Sequence, residues 1–125
     1  MTDQNKFSIE RQENKGIEFL YLKGYLDAHT APKLENEISD LIGEGKNKIL
    51  VNLGDLDYIS SAGLGVFMAF IEEIRDSGGD LKLANMKPKV YSVFDLLGFP
   101  MLFDIESEER SAIEKFEKGE LKTNE

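Results

Sequence analysis

Residues 49–65, ILVNLGDLDYISSAGLG, decide the fold class of this chain. The apolar run at 49–53 is typical of a short strand that is buried on both faces. A polar turn is expected at 54–57, and Ser60 and Ser61 then open a helix of apolar residues. The stretch therefore predicts a strand whose carboxyl end leads into a helix that starts with two adjacent hydroxyl groups.

The start of that helix combines serines with glycines. Unpaired backbone N–H groups and the positive end of the helix dipole meet at Ser60 and Ser61, so added negative charge is tolerated there. A serine at this place usually does no more than cap the helix. Gly63 and Gly65 weigh against that simple reading, because a glycine early in a helix costs up to about 1 kcal/mol relative to alanine. Such glycines indicate a close backbone approach, either to the sheet or to a docked partner.

The rest of the chain alternates between strand and helix patterns. A hairpin around the turn at 14–16 is followed by single helices between single strands, which predicts a mixed but mostly parallel sheet. We expect an α/β fold with a five-stranded sheet and about four helices. It forms one domain over residues 1–125, with an ordered core at about 6–117 and a loose tail at 118–125. The expected strands are 7–13, 16–23, 49–53, 81–84 and 101–103, and the expected helices begin near Thr30, Ser61, Pro88 and Ser107.

Composition excludes several classes of function. The chain of 125 residues carries a net charge of −9, which makes nucleic acids and anionic membrane surfaces poor partners. It has no cysteine, which removes disulfides, thiolate metal sites and thiol catalysis. The start is polar and no apolar stretch approaches the roughly 20 residues that span a bilayer, so we expect a cytoplasmic protein.

Catalytic arrangements find little support in the sequence. His29 is the single histidine, and it lies in a predicted loop. A triad of Ser61, His29 and Asp27 can be drawn on paper. It lacks the G-x-S-x-G elbow, however, because Ile59 stands where the first glycine of that motif would be.

Asp55 and Asp57 are the remaining candidates for acid–base or Mg²⁺ chemistry. Two aspartates in a glycine-containing turn are more often turn formers. A phospho-aspartate receiver domain is a rival reading of a small α/β chain, but it needs an acidic pair after the first strand, where this chain has a hairpin. We therefore expect no catalytic residue, no metal and no cofactor.

Two segments resemble the STAS domain, and specifically the bacterial anti-sigma factor antagonist family. Residues 24–31, GYLDAHTA, are similar to the family pattern G-x-L-D-x-x-T-A. Residues 52–65, NLGDLDYISSAGLG, are similar to its pattern N-L-x-x-L-x-x-x-(D or S)-S-(S, T or A)-G-L-x. The predicted order of strands and helices agrees as well, so the resemblance covers nearly the whole chain.

The resemblance implies a binding switch rather than an enzyme. The unmodified protein would bind an anti-sigma factor with serine kinase activity and free a sigma factor, and phosphorylation would block that binding. The acceptor would be Ser61, and the neighbouring Ser60, where many members have aspartate, is the second candidate. A serine phosphatase is a further candidate partner. The implied partner-binding residues are Asp27, His29, Asp57, Tyr58, Ser60, Ser61, Gly63 and Leu64.

Segments 24–30 and 58–65 are expected to form one surface, because the carboxyl ends of adjacent parallel strands meet at the same edge of a sheet. Tyr58 or Leu64 would supply its exposed apolar contact. Two other readings stay open. One is a STAS module that senses a small ligand or nucleotide, or that serves another signalling or transport assembly; the other is a small enzyme or a receiver domain. The sequence defines neither the sigma factor pathway nor the oligomeric state.

Overall fold

The computed structural model describes residues 6–120, and its strands form one five-stranded sheet in the order of the chain. The strands are β1 (Ser8–Asn14), β2 (Ile17–Leu26), β3 (Lys48–Ile59), β4 (Asp80–Ala84) and β5 (Ile105–Glu106), and the helices are α1 (Ala31–Gly43), α2 (Ser61–Asp76), α3 (Pro88–Leu96) and α4 (Glu109–Glu117). β1 is antiparallel to β2, and the other neighbouring strands are parallel. The predicted α/β class and the mixed, mostly parallel sheet are confirmed. Among the described residues, every helix is too short or too polar to span a bilayer.

The sheet is covered unequally on its two faces. On one face α1, α2 and α3 bury the main core, to which β2 contributes Leu20, Leu22 and Leu26. On the other face α4 packs through Ala112 and Phe116 against the first halves of β2 and β3. Because α4 is short, the last residues of these strands on that face stay partly open to solvent.

β3 is longer than the sequence predicts, and the predicted turn at 54–57 is wrong. The strand continues to Ile59 because β2 also continues, through most of the predicted loop at 24–27, and pairs with it as far as Leu26. Two shifts of register let β3 absorb its additional residues, while Leu56 still points into the core. Pairing with a neighbouring strand thus overrides local turn chemistry.

The predicted last strand at 101–103 is also wrong. Residues Phe99–Met101 form a 3-10 turn, and the amides of Leu102 and Phe103 both donate to the carbonyl of Phe99, at 2.8 and 2.9 Å. This turn stacks the rings of Phe99 and Phe103 in the core with their centres 5.3 Å apart. An extended segment would separate residues four positions apart by about 13 Å. Core packing therefore favours the 3-10 turn at this place, and the last strand, β5, lies further along the chain.

The chain stays ordered further past the C-terminal helix than the sequence predicts. α4 begins at Glu109, with Glu108 rather than Ser107 at its N-cap. Backbone hydrogen bonds of 2.8 to 3.1 Å hold residues 118–120 to the last turn of the helix, so these residues are not part of the predicted loose tail. Residues 121–125, the rest of that tail, lie outside the described residues.

Lys82 is a fully buried lysine beneath the end of α4. Its ammonium group donates to Asp80 Oδ2 at 3.0 Å, to Asp104 Oδ2 at 2.7 Å and to the carbonyl of Glu120 at 2.9 Å. It also lies 4.9 Å from the centre of the Phe116 ring. Each N–H donor of the ammonium thus has an acceptor, which is the condition for burying such a charge.

Candidate partner-binding and phosphorylation site

The ends of β2 and β3 lie side by side at one edge of the sheet. Leu26 pairs with Ile59, and the amide of Ser60 donates to the carbonyl of Leu26 at 2.9 Å. The two segments that the sequence predicts to form one surface are therefore neighbours in the structure. We call residues 27–30 and 58–61 the contact edge.

The two serines of the contact edge have different surroundings. Ser60 is the N-cap of α2: its backbone is extended, with φ −103° and ψ 174°, and its Oγ accepts a hydrogen bond from the amide of Gly63 at 3.4 Å. Ser61 is the first residue of the helix and is exposed. The structure confirms the cap at Ser60 and leaves Ser61 accessible at the positive end of the helix dipole.

The loop after β2 folds back on itself around Asp27. Oδ1 of Asp27 accepts hydrogen bonds from the backbone amides of His29 at 2.9 Å and Thr30 at 3.1 Å. Among residues 6–120, Oδ2 of Asp27 has no hydrogen-bond donor, and His29 is exposed. Asp27 and His29 are thus placed where a docked protein can reach them.

Asp57, a predicted partner-binding residue, is paired within the protein itself. Its carboxylate forms an ion pair with the ammonium of Lys87, the N-cap residue of α3. The hydrogen bond from Lys87 holds the pKa of the Asp57 carboxyl below its ordinary value. The sequence analysis does not include Lys87 in the site. The sequence could have indicated Lys87, however. The start of α3 follows β4, and the carboxyl ends of parallel strands share one edge of the sheet, so the start of α3 is expected near the end of β3.

Tyr58 is an exposed aromatic residue of the contact edge, with 47% of its surface open to solvent. Its ring lies 5.3 Å from the ring of Tyr25, its partner across the two strands. Exposed aromatic side chains of this kind are typical anchors of protein interfaces. Tyr25 lies within the predicted surface segment 24–30, although the sequence analysis does not name it among the partner-binding residues.

Gly63 and Leu64 are predicted as partner-binding residues, but both are buried in this structure, so a partner cannot reach them there. Leu64 is 2% exposed and belongs to the core. A Cβ atom at Gly63 would lie 2.8 Å from Cγ and 2.9 Å from the carbonyl oxygen of Leu26, so this glycine permits the close approach of α2 to its own sheet. A Cβ atom at Gly65 would meet nothing within 4 Å. Gly65 and Met68 lie on the open face of the helix instead.

The chemistry that the contact edge offers is polar recognition. Within residues 6–120, no group of three or more histidine, cysteine, aspartate or glutamate side chains is arranged to hold a metal ion. Asp55 and Asp57 lie in a strand rather than in a turn, and Asp57 is engaged by Lys87. An exposed hydroxyl at the same strand ends as a carboxylate and an exposed aromatic side chain is suited to binding a protein and to modification by an external enzyme.

Comparison with known proteins assigns the family. The sequence model of the STAS domain matches residues 8–112. BtrV of Bordetella bronchiseptica, provisionally named an anti-sigma factor antagonist, is 34% identical over 101 residues, which is 81% of this chain and 87% of that protein. The anti-sigma-B factor antagonist of Bacillus subtilis is 26% identical over 107 residues, which is 86% of this chain and 97% of that protein.

Solved structures of a related protein agree. The anti-sigma factor antagonist SpoIIAA in its unphosphorylated form has a TM-score of 0.67 and 25% identity, with 89% of this chain and 97% of that chain covered. The phosphorylated form of SpoIIAA from Bacillus also has a TM-score of 0.67 and 25% identity, with coverages of 88% and 98%. The chain belongs to the STAS domain family. Within that family it lies among the anti-sigma factor antagonists.

Proposed function

We propose that the protein binds an anti-sigma factor with serine kinase activity through its contact edge, and that phosphorylation of Ser61 ends this binding. The unmodified form would then free a sigma factor in the cytoplasm, and it would act by binding alone, without catalysing a reaction. The observation that carries the proposal is the exposed position of Ser61 beside the loop of Asp27, while Ser60 serves as the helix cap.

The composition of the contact edge supports binding to a protein. Tyr58 and its neighbour Tyr25 supply aromatic surface, and Asp27 and His29 supply polar groups on the same edge. Aromatic anchors surrounded by polar groups carry most of the binding energy in many interfaces once the partner excludes water. Ser61 follows two residues after the end of β3, where β3 pairs with the end of β2, so a phosphate there would lie at the same edge of the sheet as these groups.

The charge of phosphoserine supports the direction of the switch. A phosphoserine carries about −1.5 to −2 charges at neutral pH. A partner carboxylate about 5 Å away would meet a repulsion of roughly 1–2 kcal/mol even in bulk water, and more where water is excluded. This repulsion corresponds to a loss of affinity of roughly fivefold to thirtyfold. The fold should tolerate the phosphate, because Ser61 is exposed at the positive end of the α2 dipole.

A phosphorylation assay tests the proposal. The purified protein is incubated with ATP and with each ATP-binding anti-sigma factor kinase encoded in the same genome, and mass spectrometry locates the phosphate. We expect acid-stable phosphate on Ser61, none after Ser61→Ala, and continued modification after Ser60→Ala. Phosphate found mainly on Ser60, or no modification by any of these kinases, would contradict the proposal.

A further inference from the structure

Thr30 stands at the N-cap of α1 but does not cap the helix. Its side chain makes no hydrogen bond to the first turn, and its backbone angles, φ −101° and ψ −16°, are helical rather than extended. Pro32 occupies the second position of the helix and has no N–H group to donate to a cap. The hydroxyl of Thr30 is therefore not used in the way that its position predicts.

The hydroxyl of Thr30 turns back to the end of β2 instead. Its Oγ1 accepts a hydrogen bond from the backbone amide of Asp27 at 2.9 Å and donates one to the carbonyl of Tyr25 at 2.8 Å. The amide of Thr30 donates to Oδ1 of Asp27 at 3.1 Å, so Asp27 is held at both its backbone and its carboxylate. Thr30 is only 9% exposed, which strengthens these bonds by removing them from bulk water.

We propose that Thr30 is a positioning residue of the contact edge: its buried hydroxyl fixes the direction in which Asp27 presents its carboxylate to the partner. The proposal rests on the proposed function, because it gives Asp27 a role in partner binding. Without the hydroxyl, the amide of Asp27 and the carbonyl of Tyr25 lose a buried partner, and the loop gains alternative conformations. The complex must then order the loop on binding, which lowers the affinity.

Two substitutions at Thr30 separate the effect of its hydroxyl from that of its bulk. Thr30→Val keeps the shape and removes the hydroxyl, whereas Thr30→Ser keeps the hydroxyl and removes a methyl group. The titrant is the kinase that phosphorylates the wild-type protein, used without ATP. We expect Thr30→Val to weaken binding about threefold to tenfold and Thr30→Ser to weaken it less than about twofold. Thermal unfolding is measured in parallel, and binding is measured at a temperature at which every variant is folded.

A double-mutant cycle with Asp27→Ala shows whether Thr30 acts through Asp27. If it does, Thr30→Val should change the affinity very little in the Asp27→Ala background, because the group that it positions is already gone. A loss by the same factor in both backgrounds would indicate a purely structural role and would overturn the proposal. Equal affinities of Thr30→Val and the wild-type protein would overturn it as well.

Amide hydrogen exchange gives a readout that needs no partner. In the unbound protein, the amide of Asp27 should exchange at least about tenfold faster in Thr30→Val than in Thr30→Ser, while the amides of β3 keep their rates. An unchanged exchange rate of the Asp27 amide would contradict the positioning role of Thr30 but not the proposed function. Failure of the wild-type protein to bind any of the kinases would instead contradict the proposed function.

Discussion

The ends of β2 and β3 lie side by side, but they are built in opposite ways. After β2, Oδ1 of Asp27 and the hydroxyl of Thr30 are committed to hydrogen bonds within the loop. After β3, Ser60 closes the start of the helix and Ser61 keeps an exposed side chain. A fixed loop at the same edge as an exposed serine fits the proposed switch, because the serine can change while the loop keeps its shape.

The largest expected effect comes from forcing the start of α2 away from the end of β2. A Cβ atom at Gly63 would lie 2.8 and 2.9 Å from two atoms of Leu26, one of them a backbone oxygen. Gly63→Ala should therefore lower the free energy of unfolding by about 1–3 kcal/mol, as measured by urea denaturation. Gly65→Ala is the matched control, because its Cβ meets nothing within 4 Å, and it should raise that free energy by up to about 1 kcal/mol. Wild-type stability in Gly63→Ala would show that the helix can shift away from β2 at no cost.

The next effect concerns negative charge at Ser61. Ser61→Asp should weaken binding to the kinase about fivefold, because it places one negative charge where phosphate would place nearly two. Its unfolding temperature should stay close to that of the wild-type protein, since an acidic residue is favourable in a first helical turn. Ser61→Asn is the neutral control of similar size and should bind more tightly than Ser61→Asp in the same calorimetric titration. Equal losses in the two variants would assign the effect to shape rather than to charge.

A smaller effect is expected from the cap. Ser60→Ala removes the oxygen that accepts from the amide of Gly63, and it should lower the free energy of unfolding by about 0.5–1 kcal/mol. Ser60→Asp keeps a capping oxygen and should recover most of that loss in the same denaturation experiment. Phosphorylation of Ser61 should continue in Ser60→Ala. If Ser61→Ala destabilises the protein as much as Ser60→Ala does, both hydroxyls contribute to the cap, and Ser60 is not the capping residue on its own.

The smallest effect is expected at Asp57, whose ion pair with Lys87 is open to solvent. Because Lys87 lowers the pKa of this carboxyl, any stability from the pair is present above the ordinary aspartate pKa of about 4 and is lost as the pH falls through the lowered folded-state value. Exposed ion pairs are weak and screened by salt, so Asp57→Asn should leave the unfolding temperature at pH 7 nearly unchanged. A clear decrease of the unfolding temperature at pH 7 that persists in high salt would show that the ion pair stabilises the end of β3.

The sequence predicts the parts of the contact edge that depend on local chemistry. A serine cap, the helix that begins near Ser61 and the parallel neighbours at its base follow from capping rules, periodicity and the order of elements, and the structure shows each of them, with Ser60 as the cap. The role of Ser61 as phosphate acceptor comes from the family resemblance and stays a prediction.

Errors arise where a distant part of the chain decides the local structure. Polar turn chemistry at 54–57 gives way to pairing with β2, and the segment at 101–103 gives way to the packing of two phenylalanine rings. Gly63 and Leu64 lie in a helix start that is apolar on nearly every side. Periodicity therefore does not indicate which of its residues face the sheet.

Residues missing from the predicted site reach it through tertiary structure. Lys87 is such a residue and comes from the start of α3. Tyr25 lies in the predicted segment 24–30, but its pairing with Tyr58 depends on a strand register that local sequence does not reveal. Thr30 illustrates a different limit. Its position at the start of a helix is predicted correctly, but Pro32 removes one possible donor, the amide of Lys33 donates to the carbonyl of Thr30, and the hydroxyl finds other partners.

The buried lysine beneath α4 affects how this protein can vary in evolution. Lys82 is held by Asp80, by Asp104 and by the carbonyl of Glu120, which belong to separate segments of the chain. Loss of one acidic partner alone would leave a poorly matched buried charge, which costs about 3–5 kcal/mol in other proteins. Descendants of this sequence should therefore keep these side chains together or exchange them together for apolar ones. Apart from the linked pair of Asp27 and Thr30, the residues of the contact edge have no such buried charge to match, so we expect them to change one at a time.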